Sequence, residues 1–291
     1  MPDDSILILG IGALGTLFAA RLASCGVDVT MLGAWPEGLA ALRARGARLV
    51  GQTTGAAVRV TERAAELLSG CLAPEGLALT LQNGLGNCEI LSGRLGPERT
   101  ALGVTTVGAS LPEPGVALPG GNGTVTLEAH PRLGPLESIL RRAGFEVQTV
   151  ADAAALTWGK LVVNAAINPL GALLRLPNGA LLERPEARAL MGELAREAAA
   201  VAHGLGITLP YPDPLRAAEE VARHTAPNRS SMLQDVLRGA PTEIEAINGA
   251  VMRLGEQVGV ETPVNRLVCR LVRSLAGPDV VLPPQPTGMV R

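Results

Sequence analysis

The sequence predicts an α/β half built on a mostly parallel, doubly wound sheet, followed by an all-α half. Three observations carry this. A short apolar run, SILIL, leads directly into GIGALG at residues 10–15 and then into a helix-like segment. Strand-like and helix-like runs alternate from there to Val150, as a parallel sheet requires, since its crossovers are helices. Beyond Val150 the strand signals stop, and apolar residues recur at helical spacing as far as Ala276. These observations place a dinucleotide-binding domain at residues 1–151, a helical domain at 152–282 and a disordered, proline-bearing tail at 283–291.

The first strand, residues 5–9, reads as buried. Strand, glycine loop and helix in that order are the context that a dinucleotide fingerprint needs. Gly10 makes the turn, Gly12 lets a pyrophosphate approach the backbone, and Gly15 lets helix and strand pack closely. Ile11, Ala13 and Leu14 complete the loop, whose N–H groups at the helix start would face the phosphates. A second strand covers 28–32 and ends at Gly33-Ala34. NAD sites place Asp or Glu there, and its absence favours NADP, although no arginine stands at that point to hold the extra phosphate.

Residues 36–45 read as a helix with Pro36 at its start and Gly46 at its end. Residues 48–61 read as a hairpin, 63–71 as a short helix and 77–81 as a buried strand. That strand opens into Gln82-Asn83-Gly84-Leu85-Gly86-Asn87. Ligands bind at the carboxyl ends of strands in open α/β sheets, so Asn83 is a candidate contact to nicotinamide or substrate; the alternative is an Asn-Gly turn and nothing more. Strands at 101–109, 123–128 and 146–150, a proline- and glycine-rich loop at 112–121 and a helix at 133–143 complete the first half.

The second half reads as helices at 154–167, 184–205, 214–226, 230–237, 242–258 and 263–276. Lys160 lies in the first and is the only lysine among 25 basic residues. Arginine stays protonated at working pH, whereas a lysine against apolar walls can exchange its proton. Asn164 and Asn168 follow at successive turns, so an amine and two amides form one stripe on a helix that is otherwise apolar. Such a stripe fits either a tertiary hydrogen-bond network or a ligand that completes one.

A chain of 291 residues with 47% hydrophobic residues but only two Trp, one Tyr and two Phe must pack its core from small aliphatic side chains. Its net charge of −2 and dispersed arginines argue against nucleic acid or an anionic membrane as a main partner. Cys25, Cys71, Cys88 and Cys269 show no CxxC spacing, so they read as buried thiols of a reducing compartment, with no metal site. The N-terminus has no secretory pattern and no run is long enough to span a membrane, so the expected location is cytoplasmic.

GIGALG, LQNGLGN after a strand, KLVVNAAINPLGAL with a following PNG, SSMLQD and PTEIEAINGAV, in this order over nearly the whole chain, resemble ketopantoate reductases. The resemblance implies a Rossmann domain joined to a helical substrate and dimerisation domain, with the active site in the cleft between them. It implies NADPH-dependent reduction of 2-dehydropantoate to pantoate in pantothenate and coenzyme A synthesis, with NAD left open. It further implies that Lys160 is the catalytic acid, that Asn83 lies near the nicotinamide, and that Asn164, Asn168 and Asn178 line the substrate side. Ser231 and Glu243 would hold the substrate, with Glu243 also able to steer Lys160. From the residues alone, Ser230 or Ser231 reads as a helix N-cap and Glu243 as a first-turn carboxylate.

The chain departs from the family pattern at one place. It passes from VRVTE directly to RAAELL, where family members have a further strand ending in a second lysine. The expected fold is therefore a Rossmann-type doubly wound sheet shortened by one strand, the loss falling beside the first strand, plus a C-terminal all-α domain. Two alternatives follow: a reductase for another 2-oxo acid, or a catalytically impaired NADP-binding or regulatory protein.

Overall fold

The computed structural model describes residues 5–52, 55, 59–61, 72–121 and 123–275. It divides into two compact units, Met1–Leu81 with Cys88–Ala153, and Gln82–Asn87 with Ala154–Arg291. The expected helix at 63–71 and the tail at 283–291 lie outside the described residues.

In the first unit, β1 (Ser5–Leu9) pairs in parallel with β2 (Asp28–Leu32), and α1 (Ala13–Ser24) connects them. The helix α2 (Pro36–Arg45) follows, with Pro36 at its first position and Gly46 (φ +66°) ending it. Among the described residues the two arms of the expected hairpin at 48–61 do not pair with each other. Instead β3 (Arg48–Leu49) pairs in parallel with β8 (Val116–Pro119), and β4 (Arg59–Thr61) pairs in parallel with β2. Both strands find long-range partners, which local sequence does not reveal.

The strand β5 (Ala78–Thr80) pairs in parallel with β6 (Thr100–Thr105), the two being linked through α3 (Asn87–Leu95) and a short 3₁₀ turn, Pro97–Arg99. β7 (Ala109–Glu113) and β8 form an antiparallel hairpin where a loop was expected. Gly115, with φ +74°, makes its turn. β9 (Thr124–Glu128) runs antiparallel to β6 and parallel to β10 (Glu146–Val150), with α4 (Gly134–Arg142) as the crossover.

The strand orders are β1-β2-β4, β10-β9-β6-β5 and β3-β8-β7. Among the described residues, β1 pairs only with β2 and β5 only with β6, so one edge of each lacks a neighbouring strand. β1 is half-buried where a buried strand was expected, with Leu9 45% exposed. The core of this unit brings the chain's two phenylalanines together: Phe18 of α1 stacks on Phe145 at 4.2 Å between ring centroids, and the Arg21 guanidinium lies 4.8 Å over Phe145.

The second unit is built around α5 (Ala154–Leu174). Leu161, Val162, Ala165 and Ala166 of this helix are 0–1% exposed, as an apolar circumference requires. It does not end at Ile167 but continues through Pro169. Leu170, Gly171 and Ala172 beyond the proline are buried, and that packing outweighs an interior-proline cost of ~3 kcal/mol. The short α6 (Asn178–Leu182), then α7 (Pro185–Gly204), α8 (Pro214–His224) and α9 (Ser231–Leu237) surround it.

Next comes α10 (Asn248–Val258), six residues later than expected, and α11 (Pro263–Leu275) ends the unit. Residues 243–247 form a turn in which the amides of Ala246 and Ile247 both donate to the Glu243 carbonyl. Among the described residues no helix is long and apolar enough to cross a membrane.

Candidate active site

Each unit carries one part of the chemistry expected from the sequence. In the first, the Gly10 amide donates to the Leu32 carbonyl at 2.8 Å, which ties the glycine loop to the end of β2. Gly12 is the N-cap of α1 and offers no capping side chain, and the first turn holds no acidic residue. The N–H groups at this helix start therefore lack intrahelical partners, and the helix's own first turn puts no carboxylate against them. Gly15 is required by close approach: a Cβ there would lie 2.2 Å from the Gly10 carbonyl oxygen.

The Ile11 side chain packs where a Cβ on Gly33 would fall, at 2.5 Å, and neither Gly33 nor Ala34 offers a carboxylate for a ribose 2′-hydroxyl. Gly10, Ile11, Gly12, Ala13, Leu14 and Gly15 thus fit the pyrophosphate of a dinucleotide, and the end of β2 carries neither the carboxylate that holds a ribose 2′-hydroxyl nor an arginine for a 2′-phosphate.

In the second unit, α5 places Lys160 and Asn164 one turn apart on the same face. The Asn164 amide donates to Asn83 Oδ1 at 3.5 Å, and Asn83 Nδ2 donates to Glu243 Oε2 at 2.8 Å. One relay thus runs from the lysine helix to a carboxylate. It also fixes the orientation of the Asn83 amide, with nitrogen toward the carboxylate and oxygen toward Asn164.

Burial pulls the Lys160 ammonium from its usual 10.5 down to about 8, against the opposing pull of Glu243. Burial likewise pushes the Glu243 carboxyl up; the hydrogen bond from Asn83 and the charge of Lys160 oppose it, while Asp235 reinforces it. The result is an ammonium whose proton is held less tightly than usual, burial being only partly offset by the charge of Glu243.

Two backbone features hold this group in place. The Leu85 amide donates to the Ala246 carbonyl at 2.9 Å, docking the Asn83 loop on the turn that carries Glu243. Gly84 permits the contact: its φ is +86°, and a Cβ there would sit 2.3 Å from the Ala246 oxygen. Gly84→Ala is therefore expected to displace Asn83 and lower kcat by on the order of 10²-fold, since a misplacement near 1 Å can cost that much. Because Asn83 is expected near the nicotinamide, NADPH affinity should weaken as well. Steady-state rates alongside fluorescence titration of NADPH check this.

The remaining candidates lie elsewhere in the unit's hydrogen bonding. Asn168 is buried, and its carbonyl accepts from the Ser230 hydroxyl at 3.5 Å. Asn178 begins α6 and donates its amide to Thr225 Oγ1 at 2.8 Å. Ser231 is exposed at the first position of α9, whereas Ser230 caps that helix by accepting from the Leu233 amide. Two contributors carried no assigned role in the sequence reading. Asn87 donates to the Asn83 carbonyl at 3.1 Å, and Asp235 acts on Glu243 through its charge. Both lie inside motifs already singled out, LQNGLGN and SSMLQD, and that proximity was their only signal.

Known proteins match this chain along most of its length. The family model described as "Ketopantoate reductase PanE/ApbA" matches residues 6–66 and 59–132, and its C-terminal counterpart matches 136–276. The two N-terminal matches overlap at the point where the sequence is shorter than the family pattern. A 2-dehydropantoate 2-reductase of Archaeoglobus fulgidus is 36% identical over 94% of this chain and 99% of its own. A PanE/ApbA family ketopantoate reductase from Ralstonia eutropha JMP134 superposes with a TM-score of 0.81 at 29% identity, covering 94% of this chain and 98% of that one. D-mandelate dehydrogenase, solved with NADH and anilino(oxo)acetate, shares the fold at a TM-score of 0.84 and 24% identity, over 94% of this chain and 98% of its own. Two family models that together span nearly the whole sequence, and a relative at this identity, place the chain in the ketopantoate reductase family.

Proposed function

We propose that the protein reduces 2-dehydropantoate to pantoate with NADPH, and that Lys160 supplies the proton. The observation that carries this reading is a single lysine, mostly buried and softened to about 8, one helical turn from Asn164, whose amide begins the hydrogen-bond relay through Asn83 to Glu243. Bound NADPH supplies hydride to the ketone carbon. The ketone oxygen then gains charge, and an ammonium aimed at it both stabilises that charge and delivers the proton that makes the hydroxyl.

The Glu243 carboxylate holds Lys160 in its charged form between turnovers. Asn164 and Asn83 are neutral donors suited to orienting a small polar acid without competing for the proton. Asn168, Asn178 and Ser231 are assigned to the substrate by resemblance alone, and the glycine loop to the cofactor by resemblance and by its place at the start of α1. A cytoplasmic homodimer joined through the helical unit belongs to the same proposal. Net charge −2 speaks for a small-molecule substrate over nucleic acid.

Loss of nicotinamide absorbance on mixing the protein with NADPH and a panel of 2-oxo acids tests this. The reading requires the highest kcat/KM with 2-dehydropantoate. Equal or higher values with acids that lack its gem-dimethyl and hydroxyl groups would make the protein a reductase of another 2-oxo acid. Among the described residues one edge of β1 and one edge of β5 have no partner strand, which supports one further reading, a nucleotide-binding protein without turnover. Tight NADPH binding with no oxidation for any acid in the panel would establish it.

A further inference from the structure

Pro169 has no N–H, so it cannot donate to the carbonyl four residues back in α5, which is that of Ala165. This carbonyl is buried and adjoins Asn164 of the relay. It is not left bare, because Asn248 Nδ2 donates to it at 3.0 Å. The second hydrogen of the same amide goes to Asn265 Oδ1 at 2.9 Å. Two acceptors on one nitrogen fix which way the amide faces.

Asn265 is itself held from behind. Its amide donates to Glu197 Oε2 at 2.8 Å and to the Leu194 carbonyl at 3.3 Å. Glu197 in turn accepts the backbone amides of Val264 and Asn265 at the start of α11. Asn248 and Asn265 are both 0% exposed. Asn248 Oδ1 has no hydrogen-bond partner among the described residues, a cost that an apolar side chain of similar size would avoid. Packing alone therefore does not explain an amide at this position.

Placement supplies the explanation. Asn248 opens α10, directly after the turn that carries Glu243 and receives the Asn83 loop at Ala246. Ala165 lies five residues past Lys160 in α5. The Asn248 bond thus joins the element carrying the carboxylate to the element carrying the amine, at the helical gap opened by the proline. We propose that Asn248 is a positioning residue: by filling the hydrogen bond that Pro169 removes, it sets the register between the Lys160 helix and the Glu243 turn. This rests on the assignment of Lys160 and Glu243 to catalysis.

A double-mutant cycle tests it with Asn248→Leu, Pro169→Ala and the pair, reading kcat, NADPH Kd and melting temperature. Asn248→Leu alone should lower kcat by about tenfold or more, through misplacement of the reacting groups, and leave NADPH Kd unchanged. Alanine at 169 restores a backbone N–H for Ala165, so in that background the same leucine should cost markedly less in both kcat and melting temperature. The bond lost to Asn265 is common to both arms and cancels.

Equal losses in the two backgrounds would overturn the proposal. So would coupling seen in melting temperature but not in kcat. Should Asn248→Leu not fold, Asn248→Ser reads the same cycle. Because the thermal arm does not depend on turnover, coupling there with a fully active Lys160→Met variant would count against the catalytic assignment and not against the Pro169–Asn248 bond.

Discussion

Lys160→Met is expected to lower kcat by ~10² to 10⁴-fold, the usual worth of a positioned general acid, while leaving the protein at least as stable as the parent. The two halves of this result have one cause. Holding an ammonium in the α5 stripe pulls it from 10.5 to about 8, so the folded state disfavours the charge. That penalty, on the order of 3 kcal/mol as an upper bound, acts in full below about pH 8. It fades between there and pH 10.5, where the unfolded chain still binds the proton and the folded chain has released it.

Methionine keeps the apolar stem and removes the charge, so at neutral pH the melting temperature should rise by on the order of 5 °C. Stability traded for function in this way separates a catalytic lysine from a structural one. A variant that loses activity and melting temperature together would identify Lys160 as a structural residue. NADPH affinity should fall far less than kcat, because the lysine acts in the transition state alone.

The rate of ketone reduction should hold steady on the acid side of about pH 8 and fall tenfold per pH unit above it, as Lys160 loses the proton it must donate. Oxidation of the alcohol should show the mirror image, rising through the same pH, because the lysine must then accept a proton. Glu243 sets where this limb lies. Its charge holds the lysine pKa up against burial, so Glu243→Gln should move the limb to lower pH in both directions of reaction. Glutamine still accepts the Asn83 amide, which keeps the relay and leaves charge as the main difference. A limb that stays in place would assign the ionisation to another group.

Much of the fold was legible because local signals and tertiary packing agree. β2, α2 and β10 occur at the residues that apolar runs and glycine or proline punctuation mark. Where the reading failed, a distant partner decided the outcome. β3 and β4 look like two arms of a hairpin, yet each pairs with a strand whose position local pattern does not give. The proline- and glycine-rich stretch at 112–121 reads as a loop, but strand pairing takes most of it into β7 and β8. Helix α5 passes a proline because the residues beyond it are buried.

The site divides in the same way. Lys160 and Asn164 form a stripe that helical spacing alone reveals. The bonds from Asn164 to Asn83 and from Asn83 to Glu243 join residues that are 81 and 160 positions apart in the chain, and only the resemblance to a family pointed to them. Gly84 and Asn248 act through backbone oxygens, which side-chain patterns do not report.

The most direct test of the account is a single-turnover measurement: excess enzyme with bound NADPH is mixed with 2-dehydropantoate, and parent and Lys160→Met are compared at pH 7. The account expects substrate to bind both, with nicotinamide oxidation slowed by at least ~10²-fold in the variant. An unchanged single-turnover rate would show that the proton comes from elsewhere.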